Sequence, residues 1–422
     1  MDIEVNYRNK KRYNILKYPV HQTKFWTNII LLLSKIALIG KKYKIEKIDA
    51  EDIKPPYLLL SNHMAFIDFA LCAKATYPHP LSNVVTIDGF VYRFALLEWI
   101  GSIATRRFTT DIHLCKCIFK VLKRGDVLSM YPEARYTLCG VPSYMPESLG
   151  KLIKKCKVPV VTILHRGNHL SAPFWNWRNK RNVPFHTTYS LLLTREQIAS
   201  MSVEEINQKL HEALDYDDYR YQKENGIKIT ESYRAEGLHR VLYQCPHCKE
   251  EFKMDSKGAE IFCTACNKRW TWREGGYLEA NNGVTEFDHI PDWFNWEREQ
   301  VREQIENGTY SFSDEVEVFS LPRVYRYIPL GKAKLTHTIE EGFKLQGEYR
   351  GARYYIHRKP IQTNSLHIEY EYWPLKGRDC LDISTVNDSF YCSPSQPNVV
   401  TKISFATEIL YEKAVEKTKQ KD

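Results

Sequence analysis

Between Pro55 and about Tyr216, short runs of consecutive apolar residues alternate with stretches whose apolar positions recur every three to four residues. This is the pattern of buried strands joined by helices. Residues 57–60, 127–131 and 158–164 read as strands, and 65–75 as a helix. Asp111 is placed to cap a second helix running through Leu114, Ile118 and Leu122, which Gly125 would end. The alternation predicts an α/β domain over residues 51–216. Ligands in open α/β sheets collect beyond the carboxyl ends of the strands, so the loops that begin near Ser61 and Pro132 are the place to look for chemistry.

The first fifty residues carry an apolar run, 25–40, with Arg8, Lys10, Lys11, Arg12, Lys17 and Lys24 before it and Lys41, Lys42 and Lys44 after it. The run is short and Lys35 interrupts it, so a membrane-spanning helix, which needs about 20 apolar residues, is not expected. It also begins late and has no small-residue cleavage pattern directly after it, unlike a secretory signal. Two readings stay open. The segment 1–50 is an interfacial helix with Trp26 at the headgroup boundary and lysines on anionic lipid, or a helix packed on the next domain with its basic ends in water.

Behind the α/β domain, residues 217–240 are polar and basic and read as a linker. A cysteine-containing module follows at 241–273. A connecting region, 274–310, carries a helix at 292–307 with Trp293, Trp296, Val301 and Ile305 on its periodic face. Residues 311–422 read as mainly β, with strands including 315–319, 324–328, 352–358, 365–373 and 380–384. A final amphipathic helix lies on Ile403, Ala406, Leu410 and Ala414. Successive antiparallel strands closed by one helix suggest a pleckstrin-homology-like barrel.

Composition narrows the class. A chain of 422 residues with 43% hydrophobic and 26% charged content is folded and has room for several domains, which excludes disordered and collagen-like readings. A formal charge of +9 favours an acidic partner, whether phosphate, anionic lipid or nucleic acid. Four of the eleven cysteines fall in two Cys-x-x-Cys pairs, the usage of a reducing compartment where thiols hold metal, so a cytoplasmic location is expected.

The candidate chemistry begins at His63 and Asp68. A carboxylate bonded to one imidazole nitrogen fixes the tautomer and leaves the other nitrogen to take a proton from a hydroxyl. One His-x-x-x-x-Asp pair is expected by chance in a chain with 14 histidines. Its company in order along the chain raises its weight: Asn62-His63-x-x-x-x-Asp68, then Gly101-Ser102-Ile103-Ala104-Thr105-Arg106-Arg107, then Tyr131-Pro132-Glu133-Ala134-Arg135, then Val158-Pro159-Val160-Val161. Singly, each has a bland alternative: a helix-start histidine, a surface ion pair at Arg107, a loop cap at Glu133, a strand-entry proline at Pro159.

Together the four segments resemble the motif blocks of the glycerolipid acyltransferases, the family that includes 1-acylglycerol-3-phosphate acyltransferase, over about residues 55–165. The resemblance implies that His63 is a general base, Asp68 its orienting partner, and the reaction the transfer of a fatty acyl group from a thioester, acyl-CoA or acyl-carrier protein, to a hydroxyl of a lysophospholipid or glycerol phosphate. It maps the second block onto Gly101, Ile103 and Arg107 and implies that Arg107 holds the acceptor's phosphate, with Arg106 assisting. A guanidinium fork suits phosphate oxygens. Glu133, Arg135 and Pro159 complete the implied substrate-binding set. The third block departs from the family's Pro-Glu-Gly-x-Arg, with Ala134 for glycine and Arg135 one position early. A methyl there narrows the backbone angles and changes the room for an acceptor headgroup.

Cys245, Cys248, Cys263 and Cys266 form two Cys-x-x-Cys turns that flank fourteen residues, one fewer than the usual four-cysteine template; the module looks like a zinc ribbon, and a structural zinc is expected. Four thiolates complete that shell, so His247 is not expected as a ligand. Lys249, Lys253, Lys257, Lys268 and Arg269 with Trp270 and Trp272 suit a nucleic acid, or equally a soluble module whose tryptophans pack its core; the second reading is preferred. His113, His165 and His169 read as structural or exposed. The expected partners are a membrane lipid acceptor, an anionic membrane surface and an acyl-carrier protein, with the protein peripheral on the inner face of the membrane. The alternative is a noncatalytic protein that binds lipid, or nucleic acid through the ribbon.

Overall fold

A computed structural model describes residues 14–322 and 326–420, and the chain divides into two units, Asn14–Thr105 with Asp111–Ile229, and Arg106–Thr110 with Thr230–Asp422. Arg8, Lys10, Lys11 and Arg12 lie outside the described residues.

The N-terminal unit is a seven-stranded mixed sheet with helices. Its strands are β1 (Tyr43–Ile48), β2 (Tyr57–Ser61), β3 (Leu81–Thr86), β4 (Ile103–Thr105), β5 (Val127–Met130), β6 (Val160–Arg166) and β7 (Phe185–Leu193), in the order β1-β7-β6-β2-β5-β3-β4. Every neighbouring pair is parallel except β6 with β7. Alternation in β2 divides the core between the two faces. Leu58 and Leu60 pack with Ile118, Leu122 and Leu128, whereas Tyr57 and Leu59 pack with Cys72, Ala75 and Val161. The helix Ile112–Lys123 is capped by Asp111, whose carboxylate accepts from Leu114 N at 2.8 Å, and Gly125 ends it with a positive φ.

The first helix, α1 (Lys24–Ala37), turns Thr27, Ile30 and Ser34 inward, and Ile30 packs with Ala73 and Ile100. Its opposite side leaves Phe25, Leu32, Leu33 and Ile36 exposed, a stripe continued by Ile39 at 75% exposure. Among the described residues no helix is long and apolar enough to cross a membrane.

Two expectations need correction here. The helix α2 (Asp68–Thr76) begins at Asp68 and not at 65, because the carboxylate of Asp68 accepts the Met64 and Ala65 N–H groups and holds the preceding residues in a loop. The segment 217–240 is not a bare linker. It contains a helix, Asp218–Glu224, and a turn, Leu238–Arg240, and its polar Asp218 and Gln222 are buried. Asp218 points inward, accepting from Gly167 N and Leu170 N, so polar composition there marks internal hydrogen bonding.

The C-terminal unit holds two sheets. Strands β8 (Met254–Lys257), β9 (Glu260–Cys263), β10 (Arg269–Trp272) and β11 (Leu278–Ala280) form a small antiparallel sheet. The cysteine module therefore continues past residue 273. Strands β12 (Ser311–Ser320), β13 (Ile328–Thr338), β14 (Gly342–Tyr349), β15 (Ala352–Arg358), β16 (His367–Tyr372), β17 (Arg378–Ser384) and β18 (Ser389–Pro394) form a second antiparallel sheet of order β15-β14-β13-β12-β18-β17-β16. Of the strand expected at 324–328, Val324 and Tyr325 lie outside the described residues, and Ile328 opens β13 instead.

The helix Ile290–Glu306 joins the cysteine module to the last helix, Val400–Lys419. Trp293 meets Trp270 edge-on at 5.0 Å and donates to Gln244 O, while Phe294 meets Phe405 at 4.7 Å and Arg298 pairs with the buried Glu408.

Candidate active site and metal centre

Because β6, β2 and β5 are adjacent and parallel, their carboxyl ends open on the same edge of the sheet. Three loops start there: Asn62 to Ile67 after β2, Tyr131 to Tyr136 after β5, and Gly167 with Asn168 after β6.

His63 Nδ1 lies 3.1 Å from Asp68 Oδ2. A carboxylate accepts, so Nδ1–H donates and Nε2 is left as an acceptor. Asp68 is wholly buried and heavily bonded: Oδ2 also accepts Met64 N at 2.6 Å and Ala65 N at 2.9 Å, and Oδ1 accepts Asn168 Nδ2 at 2.7 Å. Burial alone would push this carboxyl upward. The His63 bond, the fields of His165 and His63 and the Asn168 amide outweigh it, and the group sits below the ordinary carboxylate range. The His63 side chain retains 18% exposure.

Asn62 shapes the same corner. Its side chain donates to His165 O at 3.0 Å and accepts His165 N at 2.9 Å, tying the end of β2 to the end of β6. His165 is buried against Cys72 and Thr187, and burial brings its imidazole down to about 4, so it is neutral near pH 7. Thr137 N donates to His63 O at 2.8 Å, which fastens the loop after β5 over the histidine.

Glu133 is buried. It accepts Ser143 N at 2.8 Å and the Tyr216 hydroxyl at 3.3 Å, and burial raises its carboxyl to about 7 against the pull of those bonds and of the Arg135 charge. Arg135 is buried beside it. Ala134 takes a left-handed φ of 54°, the conformation a glycine adopts without strain.

Gly101 has φ 73°, and a Cβ there would stand 2.3 Å from Val20 O, so the glycine is needed for a close backbone approach. Pro159 is at the amino end of β6, where its carbonyl accepts Leu58 N. It therefore sits near Tyr57, at the end of the strands opposite the one that carries His63.

Arg106 and Arg107 belong to the C-terminal unit. Arg106 is buried and donates to Leu321 O at 3.1 Å, Asn387 O at 3.0 Å and Ser389 Oγ at 2.9 Å, the surroundings of a structural anchor and not of a solvent-facing phosphate ligand. Arg107 pairs with Asp382 at 3.3 Å.

The cysteine motifs form two matched knuckles. Cys245 O accepts Lys249 N and Cys263 O accepts Asn267 N, with both donating residues in the left-handed region. The four Sγ atoms lie within 4.8 Å of one another, with Cys245 to Cys266 at 3.8 Å and Cys248 to Cys263 at 3.7 Å. A tetrahedron of Zn–S bonds of about 2.3 Å has edges of about 3.8 Å, so the cysteines fit a structural zinc. His247 turns to Glu286 at 3.1 Å. Trp270 and Trp272 are buried and Lys268 is tied to Val284 O and Glu286, so these three side chains pack the module's core.

Asn62, Asn168, Tyr131 and Tyr136 join the site without having been assigned roles in it. Asn62 and Tyr131 stand inside recognised blocks. Asn168 and Tyr136 carry no local signal, because only the fold brings them to His63 and Asp68.

No protein-family model matches the chain, and no curated protein matches it. Among solved structures, the 1-acyl-sn-glycerophosphate (LPA) acyltransferase PlsC from Thermotoga maritima is similar at a TM-score of 0.38 and 14% identity, over 44% of this chain and 76% of that one.

Proposed function

We propose that the N-terminal unit is an acyltransferase domain that moves a fatty acyl group from acyl-CoA or an acyl-carrier protein to a hydroxyl of a lysophospholipid or glycerol phosphate. The observation that carries this is the bond from His63 Nδ1 to a buried, ionised Asp68, which makes Nε2 the acceptor nitrogen of the ring. In the proposed reaction Nε2 takes the acceptor's hydroxyl proton as that oxygen attacks the thioester carbonyl. Collapse of the tetrahedral species expels the carrier's thiolate, which takes the proton back from the imidazolium. Asp68 stabilises the imidazolium between these steps.

Arg107 is the proposed phosphate ligand, and Asp382 is the group that a phosphate would have to displace from it. Glu133 and Arg135 are proposed to shape the acceptor pocket from within, as buried supports. The exposed stripe of α1, with Lys24 and Lys35 on the same helix, supports docking on an anionic membrane surface, and the proposed location is the cytoplasmic face. The rear half is proposed to be accessory, a zinc ribbon followed by a pleckstrin-homology-like barrel. Support for the latter is the pairing of β12 with both β13 and β18, followed by one long helix.

The test is transfer of labelled acyl groups from acyl-CoA to lysophosphatidate by the full chain in detergent. His63→Ala is expected to abolish transfer while leaving the circular dichroism spectrum and zinc content as in the wild type. Undiminished turnover by that variant would refute the mechanism.

A further inference from the structure

The hydrogen bond to Asp68 fixes one point of the His63 ring. A histidine's ring torsion is broad and roughly two-fold, so one such bond leaves the plane of the imidazole free to rock. Two tyrosines address that freedom. The Tyr131 ring stacks on the imidazole with centroids 3.8 Å apart and planes 12° apart, and the Tyr136 ring lies 4.0 Å away at 32°. Two six-membered rings this close and this nearly parallel to one imidazole would overlap on a single face, so they occupy opposite faces. Phe174 backs Tyr136 at 5.2 Å.

The local chain explains how two residues five positions apart reach one ring. Ala134 N donates to Tyr131 O, and the left-handed φ of Ala134 turns the chain back, so the segment folds around the imidazole. The bond from Thr137 N to His63 O then closes the loop on the histidine's own backbone. With both faces covered and Nδ1 held by Asp68, the direction of Nε2 is set.

We propose that Tyr131 and Tyr136 form an aromatic clamp that fixes the plane of the His63 imidazole and so aims Nε2 along one line. They act as positioning residues. Stacked rings hold an orientation through dispersion and quadrupole contacts, and a proton acceptor gains from orientation when its partner is also held in place. This inference rests on the reading of His63 as the base.

The test uses the full chain with isotope-labelled histidine, the His63 ring signals being identified by their loss in His63→Ala. In the wild type the flanking rings shift the His63 carbon-bound protons upfield. Tyr136→Leu is expected to move them downfield and to lower kcat about tenfold or more, with KM for lysophosphatidate little changed, whereas Tyr136→Phe restores both the signals and kcat. Should Tyr136→Leu fail to fold, Tyr136→Met fills the same space without a ring and carries the same expectation. Ring signals and kcat that stay at wild-type values in the ringless variant would overturn the clamp. If the wild type transfers no acyl group, the proposed function falls, and the ring signals alone decide the clamp: a downfield move supports it and an unchanged position refutes it.

Discussion

Asn168 Nδ2 donates to Asp68 Oδ1 at 2.7 Å, on the opposite carboxylate oxygen from the one that His63 and two backbone amides share. The amide holds the carboxylate from the far side, so its loss frees Asp68 to turn. Asn168→Ala is expected to lower kcat by one to two orders of magnitude and to cost about 1–3 kcal/mol of stability, since a buried charged acceptor loses a donor. Steady-state kinetics beside denaturant melts would check both. Normal turnover with normal stability would show that the contact is idle.

Glu133 gives a pH dependence with a definite sign. Its carboxyl is raised to about 7 by burial, against an ordinary value near 4.5. Between those values the folded state holds a proton that the unfolded state has lost, so this group's contribution to stability is fully present below about 4.5 and is lost as pH rises through about 7. Glu133→Gln removes the dependence. The melting temperature of the variant relative to the wild type is expected to climb between pH 5 and pH 8, by an amount corresponding to at most about 3 kcal/mol. A difference that is flat or falls with pH would contradict the assigned burial.

Two backbone positions call for opposite substitutions. Ala134 holds a left-handed φ, so Ala134→Gly is expected to stabilise the chain by about 1 kcal/mol. Gly101→Ala sets a methyl against Val20 O and is expected to destabilise by about 2 kcal/mol or more. Thermal melts of the pair check the two signs together.

Zinc should be bound and structural. The wild type is expected to carry zinc by elemental analysis, and Cys266→Ser to lose it. Because Trp270 packs on Trp293 and Gln244 N donates to the buried Glu297, removing the metal with a chelator should loosen the helix Ile290–Glu306 as well as the knuckles. Hydrogen exchange that stays slow in that helix after the metal is gone would sever the link.

The exposed stripe of α1 predicts vesicle binding. Leu33→Glu with Ile36→Glu is expected to reduce co-sedimentation with anionic vesicles at least tenfold and to leave the melting temperature within about a degree, because both side chains lie on the helix's outer side. Sedimentation as strong as that of the wild type would place docking elsewhere.

Much of this was legible in the chain. The apolar run 57–60 became β2, and the cap at Asp111 and stop at Gly125 bound the helix between them, because both signals are local. The His63–Asp68 contact was legible because five residues span one short loop. What escaped was non-local. Pro159 shares a motif block with residues that feed the core, but its place along β6 puts it at the far end of the strands. Arg106 reads as a substrate ligand until its carbonyl partners come into view. Asn168 and Tyr136 acquire meaning only when three loops converge. Segment 217–240 looked loose because buried carboxylates that bind backbone amides have the same composition as solvated ones.

The carbonyl of Leu321 and the hydroxyl of Ser389 that receive the Arg106 guanidinium stand 215 and 283 residues further along the chain. During synthesis that guanidinium leaves the ribosome long before either acceptor has been made. Until then the guanidinium has only water to bond. The final strands, arriving last, are what retire it from solvent.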